Sequence, residues 1–176
     1  SEKTLEDTLQ SVLKQNFKAW EAIIVNDGST DQTEAIASKY VNQDDRFRYF
    51  KKENTGISET RNFAISNSLG SFILPLDSDN KIRPDFAVKS ITILIDNPTI
   101  GVVYGDAMNF GNKSGYWKMG KFSKNRILVN NHIDACAMIR KKVFDCGVAY
   151  ATDMPYQGLE DWDLWLQIIK TKYTFF

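Results

Sequence analysis

The stretch Ala22-Ile-Ile-Val-Asn-Asp-Gly28 places a short apolar run directly before an Asn-Asp-Gly turn signal. A continuous apolar run of this length is typical of a strand that is buried on both faces, and the polar residues end it. The pattern returns at Ser71–Leu76, which runs into Asp77-Ser-Asp79. We therefore expect two buried strands whose carboxyl ends both carry aspartates.

Helical and strand patterns alternate along the first part of the chain. Apolar residues at helical spacing predict helices over about Leu5–Asn16, Asp31–Tyr40, Ile57–Leu69 and Pro84–Asp96. Shorter apolar runs predict further strands at Phe47–Lys51 and Ile100–Tyr104. Capping-box spacing is present at Thr4 and Asp7, and Ser29 or Thr30 is the expected cap of the second helix.

The alternation of strands and helices predicts an α/β fold, with a mostly parallel sheet flanked by helices. Beyond Gly105 the pattern changes to a glycine-punctuated, aromatic and basic stretch without a clear period. The last part predicts a strand at Ala135–Arg140, a helix at Glu160–Thr171 and the beginning of a strand at Lys172–Phe176.

The first predicted element is a helix, whereas a doubly wound sheet normally begins with a strand. We therefore hypothesise that a native first strand and its loop are missing and that the chain is truncated at both ends. A structure whose sheet is complete, without room for another strand, would refute this hypothesis.

Composition describes one globular domain and excludes several classes of protein. The chain has 176 residues, 43% of them hydrophobic and 12% aromatic, with 22 basic and 22 acidic residues. Nucleic-acid binders usually carry clustered basic residues, and no such cluster is present. The longest apolar runs are far too short to cross a bilayer.

The cysteines and the single histidine limit the redox and metal chemistry. Cys136 and Cys146 have no CxxC spacing and are predicted to be reduced core residues, as in a cytosolic protein. Because His132 is the only histidine, a bound metal would need mainly oxygen ligands. That favours Mg²⁺, Mn²⁺ or Ca²⁺ over zinc.

Three acidic clusters stand where predicted strands or loops end, and each has an ordinary structural interpretation as well. Asp27 suits a hydrogen bond to a nucleotide base or a turn and helix cap. Asp77 and Asp79 suit joint binding of a hard divalent cation or a solvated turn. Glu160 and Asp161 suit a general base or complement a helix dipole.

The order of four motifs is more specific than any single cluster. The motifs are Val25-Asn-Asp-Gly-Ser-Thr-Asp31, Asn54-Thr-Gly-Ile-Ser-Glu-Thr-Arg-Asn62, Leu76-Asp-Ser-Asp-Asn80 and Leu159-Glu-Asp-Trp-Asp-Leu164. Together they resemble the family 2 inverting glycosyltransferases over nearly the whole chain. The resemblance implies a GT-A fold and one catalytic domain over 1–176, with a nucleotide-binding part at about 1–105 and an acceptor-binding part at about 106–176.

The resemblance also implies roles on the donor side. Asp27 is expected to contact the nucleotide base, with Arg61 beside it supporting the nucleotide pocket. Asp77 is expected near the ribose or the metal. Asp79 is expected to bind the Mn²⁺ or Mg²⁺ that bridges the diphosphate.

On the acceptor side, the resemblance makes Asp161 the expected catalytic base. Glu160 is expected to position it or to take its place. The base must then lie across the sugar from Asp79, so carboxylates on opposite faces of the domain would contradict the assignment.

The substrates expected from the resemblance are a nucleotide-sugar donor, with UDP favoured, and a saccharide or lipid-linked saccharide acceptor. Surface polysaccharide synthesis fits this chemistry, with a cytoplasmic location, either free or peripheral to the cytoplasmic face of the membrane. Two alternatives remain open: a sugar-nucleotide nucleotidyltransferase, and a nucleotide-sugar-binding domain without activity. The former normally carries a glycine-rich, arginine-containing loop that this sequence lacks.

Overall fold

The computed structural model describes residues 1–111, 114–154 and 158–176. The strands are β1 (Ala22–Asp27), β2 (Phe47–Lys52), β3 (Phe72–Ile73), β4 (Ile100–Val103), β5 (Ala107–Asn109), β6 (Gly115–Trp117), β7 (Met138–Arg140) and β8 (Thr174–Phe175). The helices are α1 (Leu5–Leu13), α2 (Thr33–Gln43), α3 (Ile57–Ser66), α4 (Phe86–Asp96), α5 (Lys124–Ile127) and α6 (Glu160–Ile168), with a 3₁₀ helix at Lys141–Cys146.

The strands form two main sheets and a hairpin. β1 and β2 are parallel, in a register that runs from Ala22 opposite Phe47 to Asp27 opposite Lys52. A second sheet has the order β3-β7-β4-β8, and β5 pairs with β6 in an antiparallel hairpin. The predicted α/β class is confirmed. The second sheet is mixed because β7 lies antiparallel between β3 and β4, whereas β8 is parallel to β4.

Alternating side chains of the second sheet are buried on its two faces, as the period of a strand requires. Val102 and Ile139 pack on one face into a cluster that includes Leu164, Trp165 and Ile168 of α6. Their sequence neighbours Val103 and Met138 pack on the other face with Ala87 and Leu94 of α4. This sheet is therefore covered by a helix on each face, and α6 carries the acidic motif at its beginning.

The first sheet is covered by α1 and α2. Leu5 and Leu9 of α1 are buried with Tyr40 of α2 and Phe47 of β2. Their burial follows from the apolar stripe that the sequence places on each helix.

Two predicted details at helix beginnings are wrong. The Thr4–Asp7 capping box does not form, because the Thr4 hydroxyl donates to the Ser1 carbonyl and caps no helical N–H. The second helix begins at Thr33 rather than Asp31, and Asp31 accepts from the Thr33 N–H (3.0 Å). The N-cap residue is Gln32, whose side chain makes no capping bond, so the expected cap at Ser29 or Thr30 is wrong.

The remaining differences concern burial and strand length. Both cysteines are free, but Cys146 is exposed, so its predicted core position is wrong. β3 is shorter than predicted because only Phe72 and Ile73 pair with β7. The rest of the predicted strand, Leu74–Leu76, lines a groove.

This groove has a volume of about 960 Å³ and runs between β1 and residues 71–78. In the described part of the chain, β1 pairs only with β2, so its second edge faces the groove without a neighbour. The sheet thus has room for another strand, and the hypothesis of a missing first strand stays a prediction. Among the described residues, no helix has the length and apolar character needed to span a membrane.

Candidate active site

Arg61 connects two of the three acidic clusters. Its Nη1 donates to Asp161 Oδ1 and its Nη2 donates to Asp77 Oδ1, each at 2.7 Å. The arginine side chain is only 12% exposed, so these charge-assisted bonds are shielded from solvent. Arg61, in the middle of α3, therefore brings the carboxylate of Asp77, which follows β3, next to that of Asp161 in the first turn of α6.

Asp161 lies in an environment that disfavours its charge. Burial raises the pKa of the Asp161 carboxyl to about 6, although neighbouring Arg61 acts in the opposite direction. Asp161 Oδ1 is held by Arg61, and among the described residues Oδ2 has no hydrogen-bond partner. A carboxylate with one restrained oxygen, one free oxygen and a pKa near neutrality is suited to accept a proton.

Glu160 precedes Asp161 in the first turn of α6 and is 8% exposed. Its Oε1 accepts from the N–H of Gly158 (2.9 Å), so it holds the chain that enters the helix. The geometry thus gives the two acids different environments: Glu160 is tied to the backbone, and Asp161 is tied to Arg61.

The turn at Asp77–Asn80 is anchored to α1. The single Thr8 hydroxyl proton is shared between the carbonyls of Ser78 (3.0 Å from Oγ1) and Asn80 (2.8 Å), and the Asn80 N–H donates to the Asp77 carbonyl (3.0 Å). Asp79 is exposed on this turn and makes no hydrogen bond or ion pair with any described residue. An outward carboxylate on a fixed turn is free to bind a ligand.

The oxygen chemistry of this turn fits a divalent cation such as Mn²⁺ or Mg²⁺. Among the described residues there is no group of three or more metal-ligating side chains. Asp79 and Asp77 are therefore the candidate protein ligands, and a cation held there needs further oxygens from a bound phosphate or from water.

Asp27 fixes the loop that leads into α3. Its Oδ1 accepts from Lys52 Nζ and from the Thr55 N–H (3.0 Å), and its Oδ2 accepts from the Gly56 N–H (3.0 Å). Burial acts to raise the pKa of Asp27, but these hydrogen bonds outweigh it and hold the pKa below its ordinary value. A nucleotide base that bonds to Asp27 must therefore share carboxylate oxygens that already accept hydrogen bonds from Lys52, Thr55 and Gly56.

Gly28, after Asp27, is needed for close approach of this loop. Its φ is +79°, and a Cβ at this position would lie 3.1 Å from the Asn54 nitrogen. Only glycine adopts such a conformation without strain.

One predicted neighbour of Asp27 is elsewhere. We expected Arg61 beside Asp27, but its guanidinium bonds to Asp77 and Asp161 instead. Asp27, Arg61 and Asp77 nevertheless line the same groove. The structure therefore brings Asp77, Arg61 and Asp161 into direct contact and leaves Asp27 as a separate anchor along the groove.

Sequence reasoning missed three residues of this site. Lys52 lies opposite Asp27 at the end of the parallel pair, and a basic residue ending the next strand was the available signal. Asn62 was part of a motif but had no assigned role. Tyr150, whose ring lies under Arg61 (5.1 Å from its centroid), has no local pattern that distinguishes it.

The chain is similar in sequence to a known family of proteins. The model of Glycosyl transferase family 2 matches residues 1–148, which is most of the chain. The chain belongs to this family. Family membership confirms the resemblance drawn from the four ordered motifs.

Individual relatives share both sequence and fold. An Escherichia coli relative, UDP-Glc:alpha-D-GlcNAc-diphosphoundecaprenol beta-1,3-glucosyltransferase WfgD, is 29% identical over 174 residues, covering 97% of this chain and 66% of that protein. Staphylococcus aureus TarS in complex with UDP superposes with a TM-score of 0.77 at 23% identity, over 98% of this chain and 52% of the other. The mannosyltransferase PcManGT from Pyrobaculum calidifontis, in complex with GDP-Man and Mn²⁺, superposes at 0.76 with 15% identity, over 99% and 50%.

These similarities establish the GT-A type fold for a family 2 chain. The chain spans about half the length of the solved chains and 66% of WfgD.

Proposed function

We propose that this chain transfers a sugar from a nucleotide-diphosphate donor to an acceptor hydroxyl, with inversion at the anomeric carbon and with the help of a divalent cation. The observation that carries the proposal is the Arg61 bridge between Asp77 and Asp161. The bridge joins Asp77, whose carboxylate suits the donor side, to Asp161, whose carboxylate suits proton acceptance. A transferase needs the group that binds the donor and the group that accepts the proton to lie about one sugar ring apart, so that both reach the reacting sugar.

Asp161 is the proposed catalytic base. Its free Oδ2 takes the proton of the acceptor hydroxyl while the hydroxyl oxygen attacks the anomeric carbon and the bond to the diphosphate oxygen breaks. Attack from the face opposite the leaving group inverts the configuration. Glu160 supports this step by bonding to the chain at Gly158.

The proposed metal ligands are Asp79 and Asp77. When bound there, Mn²⁺ or Mg²⁺ would stabilise negative charge on the leaving diphosphate without any proton transfer. Asp79 is exposed and has no partner among the described residues, which supports its role as the first ligand. Asp77 must share its oxygens between the cation and Arg61.

The proposed nucleotide pocket lies along the groove and is formed by Asp27, Arg61 and Asp77. UDP is the favoured nucleotide, in line with the names of WfgD and of the TarS complex. PcManGT, which has the same fold, is in complex with GDP-Man, so the fold alone does not select the base.

The proposed acceptor is a saccharide or lipid-linked saccharide of a surface polysaccharide. The support is the name of WfgD, whose acceptor is a GlcNAc-diphosphoundecaprenol. The cytoplasmic location and the division at residue 105 stay predictions. Strands β7 and β8, which follow residue 105, share a sheet with β3 and β4, which precede it, so any division of binding roles crosses one continuous sheet.

Calorimetry of UDP, dTDP and GDP, each with and without Mn²⁺, tests the donor half of the proposal. We expect one nucleotide to bind in the presence of Mn²⁺ and the Asp79→Asn variant to lose that dependence. The Asp45→Asn variant, which alters an exposed carboxylate after α2, is the control and should bind as the wild type does. Equal binding by wild type and Asp79→Asn would contradict the metal assignment.

A further inference from the structure

Two side-chain amides hold the segment Ala149–Tyr150 from opposite sides. Asn62 of α3 donates from Nδ2 to the Tyr150 carbonyl (2.8 Å) and accepts from the Tyr150 N–H (3.0 Å). Gln167 of α6 donates from Nε2 to the Ala149 carbonyl (2.9 Å) and accepts from the Ala149 N–H (3.2 Å). We call this arrangement, formed by Asn62, Gln167 and Ala149–Tyr150, the amide clamp.

Each amide satisfies both backbone groups of one residue, as a neighbouring strand would. Asp163 Oδ2 accepts a further bond from Gln167 Nε2 (2.6 Å), which fixes the orientation of that amide. The clamp therefore joins α3 to α6 through a two-residue piece of backbone, although this piece belongs to neither helix.

The same two helices carry the pair on which the proposed reaction depends. Arg61 precedes Asn62 on α3, and Asp161 is the second residue of α6, six residues before Gln167. Tyr150 is 1% exposed, and the face of its ring supports the Arg61 guanidinium. The clamp thus fixes the backbone of Tyr150, and the ring of Tyr150 supports Arg61. Arg61 in turn bonds to the Asp161 carboxylate.

We propose that Asn62 and Gln167 are positioning residues for Asp161, which act by keeping α3 and α6 in the register that lets Arg61 bond to it. The proposal rests on the proposed function of Asp161 as the base. Neither amide contacts Asp161, so their effect is transmitted through Tyr150 and Arg61. A shift of about 1 Å at a reacting group lowers the rate by on the order of a hundredfold, so loss of either amide should reduce turnover.

The test uses Asn62→Ala and Gln167→Ala in the full chain. We expect kcat for sugar release from a UDP-sugar with Mn²⁺ to fall by roughly 10- to 100-fold, while the Kd for Mn²⁺–UDP changes by less than about twofold. A variant that is merely less stable would lose nucleotide binding and turnover together. The control is Asn67→Ala, which removes a bond from Asn67 Nδ2 to the Phe63 carbonyl on the same helix, away from the clamp.

A second measurement does not require turnover. In the wild type, nitrogen NMR of the Arg61 guanidinium should show restrained Nη groups, because the bonds to Asp77 and Asp161 hinder their rotation. Asn62→Ala should abolish this restraint and Asn67→Ala should retain it. A restrained Arg61 together with wild-type kcat in Asn62→Ala would overturn the proposal.

The two proposals fail in different ways. If the wild type releases no sugar from any donor, the proposed function fails, and the guanidinium signals still decide whether the clamp positions Arg61. If the wild type is active and both clamp variants keep its kcat, only the positioning role fails.

Discussion

At the scale of single residues, the acidity of Asp161 sets the expected pH dependence. Its pKa is raised to about 6 by burial, so it is protonated, and unable to accept a proton, below that pH. We predict that kcat/KM for the donor rises with pH up to about 6 and levels off above it. The measurement is a rate profile between about pH 5 and pH 8.

Two variants refine this profile. Arg61 lowers the pKa of Asp161, so Arg61→Met should move the midpoint to higher pH. Asp145→Asn, at an exposed position in the 3₁₀ helix, should leave it unchanged. A wild-type profile that is flat between about pH 5 and pH 7 would show that Asp161 is not the base.

Asp27 gives a second prediction at this scale, because its carboxylate bonds to three groups at the entrance to α3. Asp27→Asn removes the negative charge that Lys52 faces and turns one of the two accepting oxygens into an amide nitrogen, which cannot accept. Because the Thr55 and Gly56 N–H groups are exposed and water can replace the lost acceptor, we expect the free energy of unfolding to fall by about 0.5–1.5 kcal/mol. Urea denaturation measures the change, and Asp45→Asn, with an exposed carboxylate, should differ little from wild type.

At the scale of elements, β4 packs so closely that one of its positions requires glycine. A Cβ at Gly101 would lie 2.6 Å from Tyr173 Cβ and 2.9 Å from Val143 Cγ2. Gly101→Ala should therefore lower the free energy of unfolding by about 1–3 kcal/mol. Gly105→Ala, where a Cβ meets open space, is the matched control, and equal stability of the two variants would contradict this packing.

Local patterns predicted most elements, because burial of one helix face or of a whole strand leaves a period in the sequence. The β5–β6 hairpin was missed because its exposed, glycine-punctuated strands have no such period. The antiparallel position of β7 was also unpredictable, since its pairing with β3 joins residues far apart in the chain.

The site shows the same limit. The four motifs named the candidate residues, and the strand pattern placed aspartates after two of the predicted strands. The bond from Arg61 to Asp161 spans 100 residues and that from Asn62 to Tyr150 spans 88, so no local signal marks either. Only the packing of α3 against the segment before α6 brings these partners together.

At the scale of the whole molecule, the single histidine links stability to pH. His132 is 1% exposed, and burial lowers its pKa below the ordinary value of about 6.5. The unfolded chain therefore binds a proton at His132 more readily than the folded chain does. Below about pH 6.5 this difference stabilises the unfolded state, so the free energy of unfolding falls as the pH falls. The unfolding free energy of the wild type should fall on acidification, and that of His132→Gln should fall less.

Asp161 acts in the opposite direction, because its pKa is raised on folding and its stabilising contribution is lost as the pH rises towards 6. The histidine comparison is therefore best made in an Asp161→Asn background. If the free energy of unfolding changes with pH equally in Asp161→Asn and in the double variant Asp161→Asn/His132→Gln, His132 is not the source of this pH dependence.

The most direct test of the proposed function is release of UDP and sugar from UDP-sugars, with saccharide acceptors or water, by wild type and Asp161→Asn in the presence of Mn²⁺. We predict that Asp161→Asn binds Mn²⁺–UDP as the wild type does and loses transfer by about 10²- to 10⁴-fold. The Asp145→Asn control should keep the wild-type rate. Transfer at the wild-type rate by Asp161→Asn would contradict the role of Asp161, and a folded wild type that binds the nucleotide but transfers no sugar would contradict the proposed function itself.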